Sequence, residues 1–201
     1  LSGELRPGTR LVRRQVAAEY GTSPIPVIEA LFRLELDGLV ESEPKYGARV
    51  MLFDEKRIRE GEVFREAIEC EAARRFSASA SPRARDELAA LCREVDALQH
   101  GLEPQGMAAV TAHRDFHLFI ARSGGFPVLE KELQRIWFWM VPAGWVDPKA
   151  YPVPRDWHER LATAVRGADP HAAEAAMREH VNLNRDAHLA ALLKHLSAQG
   201  A

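Results

Sequence analysis

The sequence is poor in cysteine and has no long apolar segment. Its 201 residues contain only Cys70 and Cys92, which do not form a CxxC pair. This usage excludes a disulfide framework and is typical of a reducing compartment. The most apolar run, Trp137 to Val146, is broken by proline and glycine and is shorter than the roughly 20 residues that cross a bilayer. With no secretion signal evident, we predict a cytoplasmic protein without a membrane segment.

An excess of charge of either sign is also absent. The formal net charge is -2, with 46% hydrophobic and 28% charged residues, which is ordinary for a globular protein. This balance argues against a nucleic-acid binder that acts by bulk charge, although a small binding surface fits a neutral total. We find no internal repeat, no HExxH motif and no nucleophile motif.

The first fifty residues carry the signals of two short helices joined by a tight turn. The first helix is predicted from Val12 to Tyr20 and is closed by Gly21. Ser23 and Pro24 suit the start of a second helix, which ends at Asp37-Gly38. The residues predicted to face the core are Val27, Ala30, Leu31 and Leu34. Two strand-like segments, 39–43 and 48–52, flank a turn and add a hairpin, so the pattern predicts a winged helix-turn-helix.

Residues from Asp54 onward predict an all-helical bundle. Helical patterns cover about 54–77, 81–98, 107–121, 127–140, 154–166 and 170–196. Residues 141–155 are rich in proline, glycine and aromatic residues, which indicates a long loop. Three roles stay open for this loop: a lid over a site, an interface segment, or plain loop packing. The predicted fold class is mostly α, with a winged helix-turn-helix followed by a helical effector domain.

Four histidines in this second part are candidate metal ligands. His113 and His117 are four residues apart, so on a helix both rings project from one face and can bind one ion. His158 and His180 lie in later helical patterns, and His180 falls on the buried stripe of its helix. The alternative is that each is a core histidine paired with a neighbouring carbonyl, or that the HxxxH spacing is accidental.

The phrases GELRPGTRL and QVAAEYGTSPIPVIEALFRLELDGLVESEPKYGARV resemble the DNA-binding domain of the GntR family of bacterial transcription regulators. The resemblance implies a DNA-binding domain over residues 1–52 and an effector domain over 53–201. It also implies that the helix from Ser23 to Leu36 enters the major groove and that Gly47 lies on the wing that approaches the minor groove. The sequence starts abruptly at Leu1, and whether a further helix precedes the winged helix stays open.

The chain departs from this family at two arginine positions, which are Pro24 and Ile28 here. Arginine is the commonest side chain to contact guanine specifically, so the usual operator is not expected. Seven basic and seven acidic residues in 1–50 predict weak non-specific DNA affinity. An alternative is a winged helix that has become a protein-contact module. The candidate DNA-binding residues are Arg10, Arg13, Arg14, Ser23, Arg33, Lys45, Gly47 and Arg49.

The second part resembles the FCD effector domain of the FadR-type branch, in the phrases FREAIECEAARRF, HRDFHLFIARSGGFPVL and HERLATAVRGADPHAAEAAMREHV. Metal-binding members place an aspartate four residues before the first histidine, and that position is His113 here. The implied ligands are His113, His117, His158 and His180. Asp115 is offset by two residues and should point away. Four imidazoles suit zinc first, with nickel, iron or copper as alternatives.

The resemblance further implies a small organic acid effector bound at the metal and held by Arg65. A guanidinium that faces a carboxylate is a bidentate clamp. The alternative for Arg65 is an internal ion pair with Glu69, one turn along the helix. Phe126 stands where the family often has asparagine, so the polar contacts of the effector are expected to differ.

Together these features predict a homodimeric, ligand-responsive regulator, a repressor that leaves operator DNA when the carboxylate binds. Two alternatives stay open at this point. A metal-dependent hydrolase would use a metal-bound water, although no acidic residue is convincingly placed as a general base beyond the ambiguous Glu159. A metal-stabilised dimeric interaction module would have lost specific DNA binding.

Overall fold

A computed structural model describes residues 5, 7–52, 54–99, 107–140, 153–183, 185–187, 189–190 and 193–194. The chain divides into two compact units, Leu1–Asp54 and Glu55–Ala201, and each is described by itself below. Residues 141–152 of the predicted loop lie outside the described residues, as does part of the predicted continuation of the last helix to Leu196.

The first unit is a winged helix. Helix α1 (Arg13–Glu19) and helix α2 (Pro24–Leu36) are joined by a turn at Gly21, whose φ of 59° suits glycine. The wing is a three-stranded antiparallel sheet in the order β1-β3-β2, with β1 Arg10–Val12, β2 Val40–Glu43 and β3 Gly47–Val50. Strand β1 was not predicted. A small core of Ala17, Val27, Leu31, Val40 and Ala48 joins helices and sheet.

Gly47 begins the central strand of the wing, where a side chain has no room. Its φ is 138°, and a Cβ atom would lie 2.2 Å from the backbone oxygen of Leu11 on β1. We therefore expect Gly47→Ala to destabilise the winged helix by about 1–3 kcal/mol, the range of an overpacked site. Hydrogen–deuterium exchange of the full chain should show faster exchange in β1 and β3. Gly21→Ala is the matched control, since Gly21 also has positive φ but no atom within 4 Å. Equal exchange in both variants would contradict this assignment.

The second unit is a bundle of helices, and the predicted fold class is confirmed. Its helices pack around one large apolar core that includes Phe76, Leu88, Phe116, Ile120 and Leu161. Because helices distant in sequence meet around this core, polar residues on their inward faces are brought together. The helices are α3 Glu55–Ser79, α4 Pro82–Gln99, α5 Met107–Ser123, α6 Pro127–Met140, α7 Trp157–Arg166 and α8 Pro170–Asn182.

Candidate functional site

The four candidate histidines meet inside the helical unit. His113 and His117 lie one turn apart on α5, His158 lies in the first turn of α7, and His180 lies in the last turn of α8. His117, His158 and His180 are buried, and His113 is partly buried. The ring centroid of His113 lies 4.8 Å, 4.9 Å and 6.0 Å from those of His117, His158 and His180. The helical fold thus brings together all four residues, which we call the histidine cluster.

Ring nitrogens of three of the four histidines are close enough to share one ion. One ring nitrogen from each of His113, His117 and His180 lies within 4.8 Å of the others. The Nε2 atoms of His113 and His117 are 3.0 Å apart. Since a zinc–nitrogen bond is about 2.0–2.1 Å long, modest side-chain adjustments suffice to place these donors around one metal. His158 is not one of these three residues; its ring centroid lies 5.1 Å from that of His180, and its role as a fourth ligand stays a prediction.

Two carboxylates contact the Nδ1 atoms of two of these imidazoles. Oε2 of Glu69 on α3 lies 2.7 Å from Nδ1 of His117. Oδ1 of Asp96 on α4 lies 2.8 Å from Nδ1 of His158. Metal-binding histidines commonly donate their second ring N–H to a carboxylate, which fixes the tautomer and leaves the other nitrogen for the metal. The hydrogen bond of His158 therefore favours its Nε2 as a donor atom, whereas His117 is close to Glu69 without hydrogen-bond geometry.

The cluster is electrostatically suited to a cation. Burial first, and neighbouring histidines second, lower the pKa of His113 and His180 well below the usual value. Neutral imidazoles are the form that binds metals. Within the described part of the chain, neither ring nitrogen of His180 makes a hydrogen bond of good geometry, although a contact with the backbone of Trp157 acts to raise its pKa. A metal ligand bond would satisfy a ring nitrogen of this buried imidazole.

Two tryptophans line the cluster, and the sequence pattern did not indicate either as a site residue. The ring of Trp157 stacks on His180 with a centroid distance of 4.0 Å and an interplanar angle of 17°. Trp137 on α6 meets His113 edge-on at 5.4 Å. Their approach depends on the packing of α6, α7 and α8, so no local spacing in the sequence indicates it.

Arg65 is held inside the protein by two acidic residues of its own helix. It is 8% exposed; its Nε donates to Glu69 at 2.8 Å, and its Nη1 lies 3.7 Å from Glu62. The ion pair with Glu69, the predicted alternative, is therefore present. Binding of an effector by Arg65 stays a prediction. Phe126 is 44% exposed and lies under the guanidinium of Arg75.

Two other predicted side chains lie at the surface. Asp115 is exposed and accepts a hydrogen bond from Arg114, in agreement with its offset from the ligand positions. Glu159 is exposed on α7 next to the buried His158. Neither carboxylate belongs to the histidine cluster as the structure places it.

The contact between Asp96 and His158 gives a direct test of the cluster. We expect Asp96→Asn to weaken zinc binding about tenfold to a hundredfold, the usual effect of losing a carboxylate behind a histidine ligand. Competition with a chromophoric chelator measures the affinity. Glu94→Gln is the matched control, because Glu94 is exposed on the same helix. If both variants bound zinc like the parent protein, Asp96 would have no role in orienting a ligand.

The predicted DNA-binding residues divide into two groups. Arg10 and Arg49 on the wing are neutralised by acidic residues of β2: Arg10 Nε lies 2.9 Å from Glu43, and Arg49 Nη2 lies 2.7 Å from Glu41. Sequence spacing did not indicate these pairs, because they depend on the register of the three strands. Both arginine side chains are at least partly exposed to solvent, so contact of these arginines with phosphate stays a prediction.

Of the six remaining members of the set, four are exposed and two are not. Arg14, Ser23, Arg33 and Lys45 are exposed, and Arg13 is partly buried. Ser23 occupies the N-cap position of α2, but its side chain makes no capping hydrogen bond, contrary to expectation. Gly47 is buried within the sheet, and the exposed residues of the turn before it are Lys45 and Tyr46.

Comparison with known protein families accounts for both units. Residues 1–50 match the gntR family of bacterial regulatory proteins, and residues 62–183 match the FCD domain. These families comprise transcription regulators rather than enzymes, so the prediction of a regulator over a hydrolase is confirmed. None of the described helices is long and apolar enough to span a membrane.

Individual relatives are also transcription regulators. The chain is 37% identical over 71 residues to the HTH-type transcriptional repressor RspR of Escherichia coli K12, covering 35% of this chain and 31% of RspR. It is 28% identical over 141 residues to the transcriptional regulator McbR of the same strain, covering 70% and 62% of the two chains. The match thus spans about a third of RspR.

Solved structures share the fold over nearly the whole chain. The structure of E. coli McbR/YncC matches with a TM-score of 0.69 and 23% identity, covering 99% of this chain and 92% of that one. A GntR-type transcriptional regulator from Rhodococcus sp. RHA1 matches with a TM-score of 0.67 and 22% identity, covering 96% and 90%. At such identities the likeness establishes the fold alone.

Proposed function

Because this chain belongs to the GntR family of bacterial transcription regulators and carries an FCD domain, we propose that a small carboxylate bound at a metal in its histidine cluster controls its affinity for operator DNA. The observation that carries this proposal is the convergence of four imidazoles from three helices in the interior of the effector domain. In a purely structural core, burying four polar rings at one point would cost free energy.

His113, His117, His158 and His180 would hold the metal, and zinc is the ion we propose first. The donor set contains only nitrogen, which suits zinc, nickel, copper or iron better than magnesium or calcium. When bound, such an ion supplies an electrophilic position to which a carboxylate oxygen can bind. Glu69 and Asp96 supply the second contacts that orient His117 and His158.

The partly buried His113 supports an approach of the effector from its side of the cluster, since the other three histidines are fully enclosed. Trp137 packs against both His113 and Arg65, so this side combines an aromatic surface with a cation. A small organic acid fits these surroundings, because its carboxylate complements metal and guanidinium while its carbon skeleton contacts the indole ring.

We propose a cytoplasmic homodimer, because a two-fold protein matches the two half-sites of a pseudo-palindromic operator. Release of DNA on binding of the acid is the direction we propose, and the repressor RspR provides a precedent among the relatives. Release requires that the acid bind the DNA-free state more tightly than the DNA-bound state.

Selection of genomic DNA fragments by the full-length, zinc-loaded protein tests the proposal of specific DNA binding. Moderate salt suppresses non-specific contacts to phosphates. The expected result is enrichment of a short sequence with two related half-sites. Failure to enrich any fragment, with zinc or without it, would contradict a sequence-specific regulator and favour a metal-stabilised interaction module.

A further inference from the structure

Helix α2 has an apolar surface on the side that faces away from its own core. Val27 and Leu31 are buried under the helix, but Ile25, Ile28 and Phe32 are 67%, 46% and 58% exposed. These positions are three or four residues apart, so the three side chains form a continuous stripe on one helical face. We call Ile25, Ile28 and Phe32 the apolar stripe.

The same unit carries exposed cations that suit contacts to a polyanion. Arg33 lies on α2 itself, Arg14 lies on α1, and Lys45 lies on the wing. Such cations can neutralise phosphates without contacting bases. Exposed acidic residues are present as well, and one of them, Glu29, directly follows Ile28 on α2.

In a helix-turn-helix the second helix lies in the major groove, with its N-terminal residues against the base edges. The stripe begins at the second residue of α2, so its members occupy these base-facing turns. The base edges in this groove offer hydrogen-bonding groups and only one apolar group, the C5-methyl of thymine. An apolar helix surface in the groove thus has one complementary feature to contact.

We infer that this chain recognises its operator through thymine methyl groups, with Ile28 and Phe32 as the principal specificity-determining residues and Ile25 beside them. The Glu29 carboxylate disfavours guanine at the contacted position. The major-groove edge of guanine presents only the acceptors O6 and N7, which repel a carboxylate. Each operator half-site should therefore contain thymines and lack guanine where α2 contacts the strand. This inference rests on the proposed binding of operator DNA.

Uracil differs from thymine only by the missing methyl group, which makes it the probe for this inference. A pool of DNA duplexes with a random central stretch is selected with the zinc-loaded full-length protein. The enriched duplex is then resynthesised with deoxyuridine at one thymine at a time. We expect about a fourfold loss of affinity for each contacted methyl, the effect of one buried methyl group. Thymines outside the half-sites should tolerate the exchange.

Matched variants assign the effect to the stripe. Ile28→Ala should bind the thymine duplex more weakly than the parent, and it should lose the sensitivity to uracil at one position. Val128→Ala is the control, because Val128 is likewise an exposed branched apolar side chain but lies on α6. Ile28→Arg should shift the selected half-site toward guanine, which arginine contacts through O6 and N7. Circular dichroism checks that each variant is folded.

The outcomes separate this inference from the proposed function. Enrichment of a defined duplex that binds equally well with uracil at every thymine would overturn methyl recognition and leave specific DNA binding intact. No enrichment from the random pool would contradict DNA recognition itself. A guanine-centred half-site in the parent protein would also overturn the inference, as would unchanged uracil sensitivity in Ile28→Ala.

Discussion

Replacing His180 with alanine is expected to abolish one-to-one zinc binding. His180 is buried, comes from a different helix than the other three histidines, and has no carboxylate contact comparable to those of His117 and His158 among the described residues. Zinc at 100 times its Kd should stabilise the parent protein by about 2.7 kcal/mol, and it should not stabilise the variant. Isothermal titration and thermal unfolding, each with and without zinc, measure the two effects.

His171→Ala is the control for this experiment. His171 lies on the same helix α8 but is exposed at its first turn. Its loss should leave both the stoichiometry and the stabilisation by zinc unchanged. If His180→Ala retained full occupancy, the histidine cluster would not be the metal site and the four rings would be a packed polar core.

Replacing Arg65 with methionine is expected to destabilise the effector domain by about 3–5 kcal/mol at neutral pH, the effect of removing one partner from a buried ion pair. Arg65 is the cation between two buried carboxylates, Glu62 and Glu69. Methionine keeps much of the side-chain volume and its contact with Trp137, so the loss of charge is the main change. Urea unfolding of the full chain, followed by circular dichroism, measures the effect.

The pH dependence of this variant distinguishes a charge effect from a packing defect. Burial raises the pKa of Glu69, but Arg65 and then His117 outweigh burial and lower that pKa to about 2. In the parent protein this carboxylate therefore contributes stability at neutral pH that is lost as the pH falls through about 2.

Without Arg65 the sign of this linkage should reverse. Burial already raises the pKa of Glu62 and would then dominate at Glu69 as well. The stability deficit of Arg65→Met should therefore shrink as the pH is lowered and both carboxyl groups take up protons. Arg59→Met is the control, because the pair of Arg59 with Glu55 is exposed and is expected to contribute less than about 1 kcal/mol. A deficit independent of pH would contradict the charge account.

Helix periodicity and capping signals were sufficient to predict the two-part architecture. The spacing of His113 and His117 placed both rings on one face of α5, as the structure shows. The predicted inclusion of His158 and His180 came from family resemblance, because no spacing within one helix connects α5 with α7 and α8. The structure brings all four rings together, whereas metal binding itself stays a prediction.

Features that depend on tertiary contacts could not be predicted from the sequence patterns. Asp96 and His158 meet at 2.8 Å although they are 62 positions apart. Strand β1 has only three residues, and it is a strand because it pairs with β3. The ion pairs of Arg10 and Arg49 follow from the same sheet register, which no sequence pattern indicated, and the role of both arginines in DNA binding stays a prediction.

The most direct test of the account is the affinity of an enriched genomic fragment for the zinc-loaded protein, measured by fluorescence anisotropy while mono-, di- and tricarboxylic acids are added. The account predicts that an acid of this panel weakens DNA binding by the parent protein and has no effect on His180→Ala. An equal response of both proteins would contradict it, since control of DNA affinity would then not pass through the histidine cluster. DNA affinity that no carboxylic acid changes would contradict it as well.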